Sequence, residues 1–178
     1  MANEVDGIVN VTLQSTAKSK EPVRFFGTHT AKLATGTNQV TLPKAIKKAV
    51  EEGDEGHLML FPRAGKQYWQ LYTKKAFNQL VEDTKKDPRF QANNLGKNTA
   101  HAMVAKAVAV EYDTQGRFVV GKEFAAKLKG ESNDVTFVAV HEYVNLWTTA
   151  DYTAEQEKLK PTEMSEEMLK AMEAILDQ

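Results

Sequence analysis

The 178-residue chain contains a degenerate copy of itself. At an offset of 78 positions, Val40, Leu42, Ile46 and Val50 fall on Phe118, Val120, Phe124 and Leu128, and Lys44 falls on Lys122. At an offset of 75, Tyr68, Leu71 and Thr73 fall on Tyr143, Leu146 and Thr148, while the aromatics Tyr72 and Phe77 fall on Trp147 and Tyr152. A three-residue difference in a connecting loop reconciles the two offsets. Short β-rich units align readily by chance, but here the order of elements repeats along with the matched positions. A unit of this size cannot bury a sufficient core alone, so it is expected to pair with its copy.

Periodicity gives those elements. Val23, Phe25, Phe26 and Leu33 lie in a stretch whose Thr28 and Thr30 also favour extended structure, which predicts a first strand. Thr35-Gly36-Thr37-Asn38 reads as a turn, and Gln39 to Leu42 alternates polar with apolar as a half-buried strand does. Pro43 suits the first position of a short helix over 43–51, stopped by Gly53. A hairpin follows, with Leu58 to Phe61 and Tyr68 to Tyr72 joined around Pro62 to Gly65, and then a helix from Lys74 to Lys86. After a helical stretch at 97–106 the series restarts: strand Ala107 to Val110, turn Asp113 to Gly116, strand Arg117 to Val120, helix Lys122 to Leu128 ending near Gly130, and a hairpin of Val135 to Val140 with Tyr143 to Trp147. Val9, Val11 and Leu13 alternate as a short strand would, ahead of a polar connector ending at Pro22. Thr153-x-x-Gln156 has the form of a capping box for a C-terminal helix. Beyond Pro161, Met164, Met168, Met172 and Ile175 share one helical face, which is expected to pack on the body or on a neighbouring subunit.

Enzyme chemistry lacks its parts. The chain has no cysteine, hence no disulfide or thiolate chemistry, and His29, His57, His101 and His141 show no metal-ligand spacing. No phosphate-binding glycine loop and no nucleophile motif is present, so no cofactor, metal or catalytic residue is expected. The apolar runs are too short for a membrane span, which predicts a cytoplasmic protein. Net charge is −1, but residues 1–150 carry 20 Lys and Arg against 16 Asp and Glu, while residues 151–178 carry 3 against 8. A mildly basic body thus ends in an acidic tail.

Asp113-Thr114-Gln115-Gly116-Arg117 is a tight turn that presents an arginine at the start of a strand. The aspartate can accept hydrogen bonds from turn amides or from the arginine and so hold the guanidinium in place. A fixed planar fork suits a phosphate or a guanine edge, and the same residues also make a plain turn with a local ion pair. This turn, followed by a strand and short helix and duplicated at an offset of 78, resembles the MraZ family, whose two tandem SpoVT-AbrB-type units each carry an Asp-x-x-x-Arg signature. The resemblance spans roughly residues 25–155 and is supported by Phe26-Gly27, Val40-Thr41-Leu42-Pro43, and the hairpin ends Leu71-Tyr72 and Leu146-Trp147.

The resemblance implies an α+β fold: a pseudo-twofold, swapped-hairpin β-barrel assembled from two tandem repeats, with short helices and a C-terminal helix. It also implies a non-enzymatic, nucleoid-associated regulator, a ring homo-oligomer binding double-stranded DNA at repeated promoter sites of a cell-division and cell-wall gene cluster. The corresponding boundaries are a flexible arm over 1–22, a first repeat over 23–87, a helical connection over 88–104, a second repeat over 105–153 and an acidic helical tail over 154–178. Arg117 carries over as a DNA contact, with Asp113 and Gly116 orienting its turn. The first repeat departs: Thr35 stands for the aspartate, Asn38 for the glycine and Gln39 for the arginine. Gln39 can bond adenine in the major groove but cannot neutralise phosphate. Asn38 joins it as a candidate contact, and Lys32, Lys44, Lys47 and Lys48 can supply phosphate contacts, although helix lysines are commonly a solvated face. Gly121 replaces Pro43 in the second repeat and weakens the start of its helix. The alternative is an oligomeric scaffold of the same fold that acts through protein partners without DNA.

Overall fold

The structure, a computed structural model, describes residues 21–53, 56–128, 132–158 and 166–176, with the side chains of 128 and 166–168 outside the description. The candidate strand at Val9 to Leu13, the helix stop near Gly130, Met164 and the Met168 side chain therefore lie outside the described residues.

Two series of elements follow one another. The first comprises β1 (Thr28–Ala34), β2 (Gln39–Thr41), α1 (Lys44–Glu52), β3 (Leu58–Pro62), β4 (Trp69–Thr73) and α2 (Lys74–Lys86). Two single-turn 3-10 segments, Pro88–Phe90 and Ala92–Asn94, lead into α3 (Leu95–Lys106). The second series comprises β5 (Val108–Val110), β6 (Arg117–Val119), α4 (Lys122–Leu128), β7 (Asp134–Ala139), β8 (Val144–Thr148) and α5 (Thr149–Lys158), followed by α6 (Glu166–Leu176).

The strands form one antiparallel sheet in the order β5-β3-β4-β8-β7-β1-β2-β6. Its two end strands are consecutive in the chain, joined by residues 111–116, so the sheet curls into a nearly closed barrel. Exchanging β1 to β4 with β5 to β8 leaves this cyclic order unchanged. Each hairpin's outer neighbour comes from the other repeat, since β1 pairs with β7 and β5 with β3. The repeats are thus interleaved, and neither could close its half of the barrel alone.

The registers locate the symmetry axis. In the β2–β6 pair Val40 lies opposite Phe118, its own counterpart, and in the β4–β8 pair Gln70 lies opposite Asn145, likewise its counterpart. Both capping threonines repeat as well: Thr73 Oγ1 accepts from the Ala76 N–H at 3.1 Å and Thr148 Oγ1 from the Asp151 N–H at 3.0 Å. So do two aromatic clusters, Phe77–Tyr72–Tyr143 and Tyr152–Trp147–Tyr68, with edge-on ring contacts of 6.0 Å in each. Inside the barrel, Ile46, Val50, Phe118, Phe124, Phe137 and Leu146 are completely buried. Each such side chain contributes about 1.5–3 kcal/mol over leaving it in water.

Four expectations change. The capping box at Thr153 does not form: α5 starts one turn earlier, behind Thr148, and Thr153 Oγ1 instead donates to the Thr149 carbonyl at 2.9 Å inside the helix. Pro43 is the residue flanking α1 rather than its first turn, because its extended backbone (ψ 140°) ends the strand while its carbonyl accepts from the Lys47 N–H. The first strand starts only at Thr28, past Val23, Phe25 and Phe26, with Phe25 buried at an isolated bridge to His141 and Phe26 70% exposed. The three-residue difference is also not confined to one loop, since the hairpin connections have six residues (63–68) and four (140–143).

Candidate nucleic-acid interface

β2 and β6 lie side by side near the seam of the barrel, and their outward residues form one face. Thr41 opposes Arg117 and Gln39 opposes Val119, which is 57% exposed, while the inward Val40 and Phe118 are buried. Each strand enters from a turn that needs a left-handed residue: Gly116 at φ 82° in the second repeat, and Asn38 at φ 52° in the first. Asparagine tolerates this region better than most side chains do. Each of these residues also ties its turn to the other repeat, with the Gly116 carbonyl accepting from the Leu42 N–H at 2.8 Å and the Asn38 carbonyl from the Val120 N–H at 2.9 Å. The two turns are bound into one rigid ridge across the pseudo-twofold axis.

The second turn is fully assembled. Asp113 Oδ1 accepts from the backbone N–H of Gln115 and of Arg117, both at 2.9 Å, and Oδ2 accepts from Arg117 Nε at 2.7 Å. The backbone closes beneath it, Asp113 N to Arg117 O at 3.0 Å and Gly116 N to Asp113 O at 2.8 Å. The Arg117 backbone amide, helped by the guanidinium, holds the Asp113 carboxyl below the usual carboxylate range. Both side chains are solvated, so the pair contributes little to folding stability. Its effect is positional: a long cationic side chain is fixed through Nε, and the Nη groups of the fork remain to meet a further acceptor.

Sequence reasoning gave Lys47 no partner. Its Nζ donates to the Thr114 carbonyl at 2.6 Å, so α1 of the first repeat braces the turn of the second, with Glu51 Oε1 3.3 Å from the same ammonium. Only the pseudo-symmetric interleaving brings residues 67 positions apart into contact. Of the other candidates, Lys32 is exposed on the outward side of β1, opposite Asp134 of β7, and Ala34 two residues on lies beside Gln39. Lys44 is exposed at the start of α1, off the strand face, and Lys48 lies 3.6 Å from Glu52. Among the described residues no side-chain hydrogen bond holds Gln39 as Asp113 holds Arg117.

The family model described as "MraZ protein, putative antitoxin-like" matches residues 103–173, a span that contains the assembled turn, β6, α4 and the second hairpin. No curated protein matches the chain. The MraZ match covers the repeat whose Asp-x-x-x-Arg signature is intact, and the barrel's exchange symmetry relates the first repeat to it. Among the described residues no helix is long and apolar enough to cross a membrane.

Proposed function

We propose that the chain is a sequence-specific, DNA-binding transcriptional regulator of the MraZ type, acting as a ring homo-oligomer on repeated promoter sites. The observation that carries this reading is the Asp113–Arg117 turn, which orients a guanidinium outward on a two-strand ridge at no evident gain in fold stability. A two-stranded ribbon fits the major groove, where arginine reads guanine O6 and N7 and a neighbouring glutamine reads adenine. Arg117 supplies the charged contact and Gln39 the uncharged one, and the exposed Lys32 and Lys44 supply phosphate contacts. One ridge arginine, Arg117, in each chain is a weak anchor. Several copies in a ring, engaging sites at matching spacing, gain affinity through effective concentration without any new contact.

The uncharged first turn favours the second reading, an oligomeric scaffold acting through protein partners. Fluorescence anisotropy with the DNA upstream of the protein's own coding region, at two salt concentrations, separates the two. Regulatory binding weakens as salt rises because counterions are released, and an absence of binding even at low salt leaves the scaffold.

A further inference from the structure

We propose that α6 docks in trans, on a second copy of the chain, in the groove floored by Trp69 and Val108 and ringed by Arg63, Lys106 and Lys122. α6 has eleven residues, fewer than the roughly 12–15 at which even favourable isolated helices hold in water. Its apolar residues Leu169, Met172, Ile175 and Leu176 recur at helical spacing and are 48–78% exposed. A short helix with an uncovered apolar stripe requires a surface to stabilise it.

The groove offers that surface. It measures about 570 Å³ and lies between the β3–β4 connection, the start of β5 and the start of α4. Trp69, held edge-on against Phe124 at 6.0 Å, forms an apolar floor, and Val108 is 47% exposed on an end strand of the sheet. Three cations surround it against one carboxylate, Glu123. α6 has the complementary balance, with Glu166, Glu167 and Glu173 against Lys170. Apolar stripe meets apolar floor, and glutamates meet the basic rim.

The corresponding place in the first repeat lacks this lining, because Gly27 and His29 occupy the positions equivalent to Lys106 and Val108. Each chain therefore offers one helix and one acceptor. Among the described residues of one chain nothing covers the stripe or the groove, and exchange between copies covers both. Donor and acceptor are different surfaces, so the contact is head-to-tail and propagates around a ring. The inference rests on the self-association in the reading above and is independent of DNA binding.

The chain contains no cysteine, so engineered thiols report the contact directly. A Val108→Cys chain is mixed with a mass-tagged Ile175→Cys chain in a glutathione redox buffer. A mixed disulfide dimer is expected, well above that from an Asn78→Cys and Ile175→Cys control pair, and its yield should fall when Lys106→Glu and Lys122→Glu are added. Mixed dimer no more abundant than the control overturns the proposal, as does a doubly substituted Val108→Cys/Ile175→Cys chain that closes only on itself. Light scattering on the unoxidised samples distinguishes the failures: an oligomer without the cross-link refutes the tail contact alone, whereas a monomer refutes self-association too.

Discussion

Gln70 Nε2 reaches Asn145 Oδ1 at 3.4 Å across the β4–β8 pair, and each of these residues is the other's counterpart in the duplicated sequence. Gln70 is buried on the outer face of β4, and its Oε1 also accepts from the Tyr72 hydroxyl at 3.0 Å, so one amide ties the β4–β8 pair to an aromatic cluster. Gln70→Ala strands that hydroxyl and is expected to cost about 1–3 kcal/mol. Replacing both amides, Gln70→Leu with Asn145→Leu, should cost less than the two single changes together, because neither amide is then left facing a missing partner, although the Tyr72 hydroxyl loses its acceptor in the single and the double variant alike. Denaturant unfolding of the four variants measures the coupling; strict additivity would show that the amides do not interact.

The paired caps give a second test. Thr73→Ala and Thr148→Ala should each destabilise by about 1 kcal/mol, the usual cost of losing a helix-capping hydroxyl. Thr153→Ala should stay within about 0.5 kcal/mol, since its hydroxyl bonds a carbonyl already inside α5. Thermal or chemical unfolding reads all three, and a larger loss at Thr153 would restore the later helix start.

Gly116 requires its positive φ of 82°, and an added Cβ would lie 3.2 Å from the Lys47 Cδ that braces the turn. Gly116→Ala is expected to cost about 1–2 kcal/mol from the left-handed backbone. Gly116→Asn should cost less, because asparagine already holds the equivalent position, Asn38. Unfolding midpoints for the two variants give the order, and a less stable Asn variant would contradict the equivalence of the turns.

Asp113 sets a pH dependence of known sign. Its folded carboxyl titrates below the ordinary value of about 3.9, so its favourable contribution is present above that value and is lost as pH falls through the lower folded one. The principal cause is the Arg117 backbone amide, so Arg117→Ala should return the titration only part of the way toward ordinary. Carboxyl carbon NMR measures this; a complete return would assign the effect to the guanidinium instead.

Much of this was legible in the sequence where local chemistry decides. Alternation around Val40 and Phe118, the Lys74 to Lys86 helix and the Gly116 turn all follow from side-chain period or backbone preference. Strand partners did not follow. Nothing in Thr28 to Ala34 indicates β7 as its neighbour, because any two half-buried strands can pair until closure of the whole barrel selects one order. The same limit hid Lys47 against Thr114. Thr153 misled for a different reason: its spacing to Gln156 is valid for a cap, but Thr148 stands at a strand end, where the backbone is already extended as a cap requires. Phe25 and Phe26 are adjacent and equally apolar, and only the docking of Phe25 on His141 decides which of them is buried.

In the proposed function Arg117, held by Asp113 on the β2–β6 ridge, is the charged DNA contact of each chain. Anisotropy titrations of the wild type, Arg117→Ala and Gln39→Ala against the protein's own upstream DNA test it most directly. Arg117→Ala is expected to weaken binding by about 1–3 kcal/mol, roughly 5- to 150-fold, and to flatten the salt dependence, while Gln39→Ala weakens binding with the salt dependence unchanged. Unchanged affinity on loss of Arg117, with the fold intact, would contradict the account.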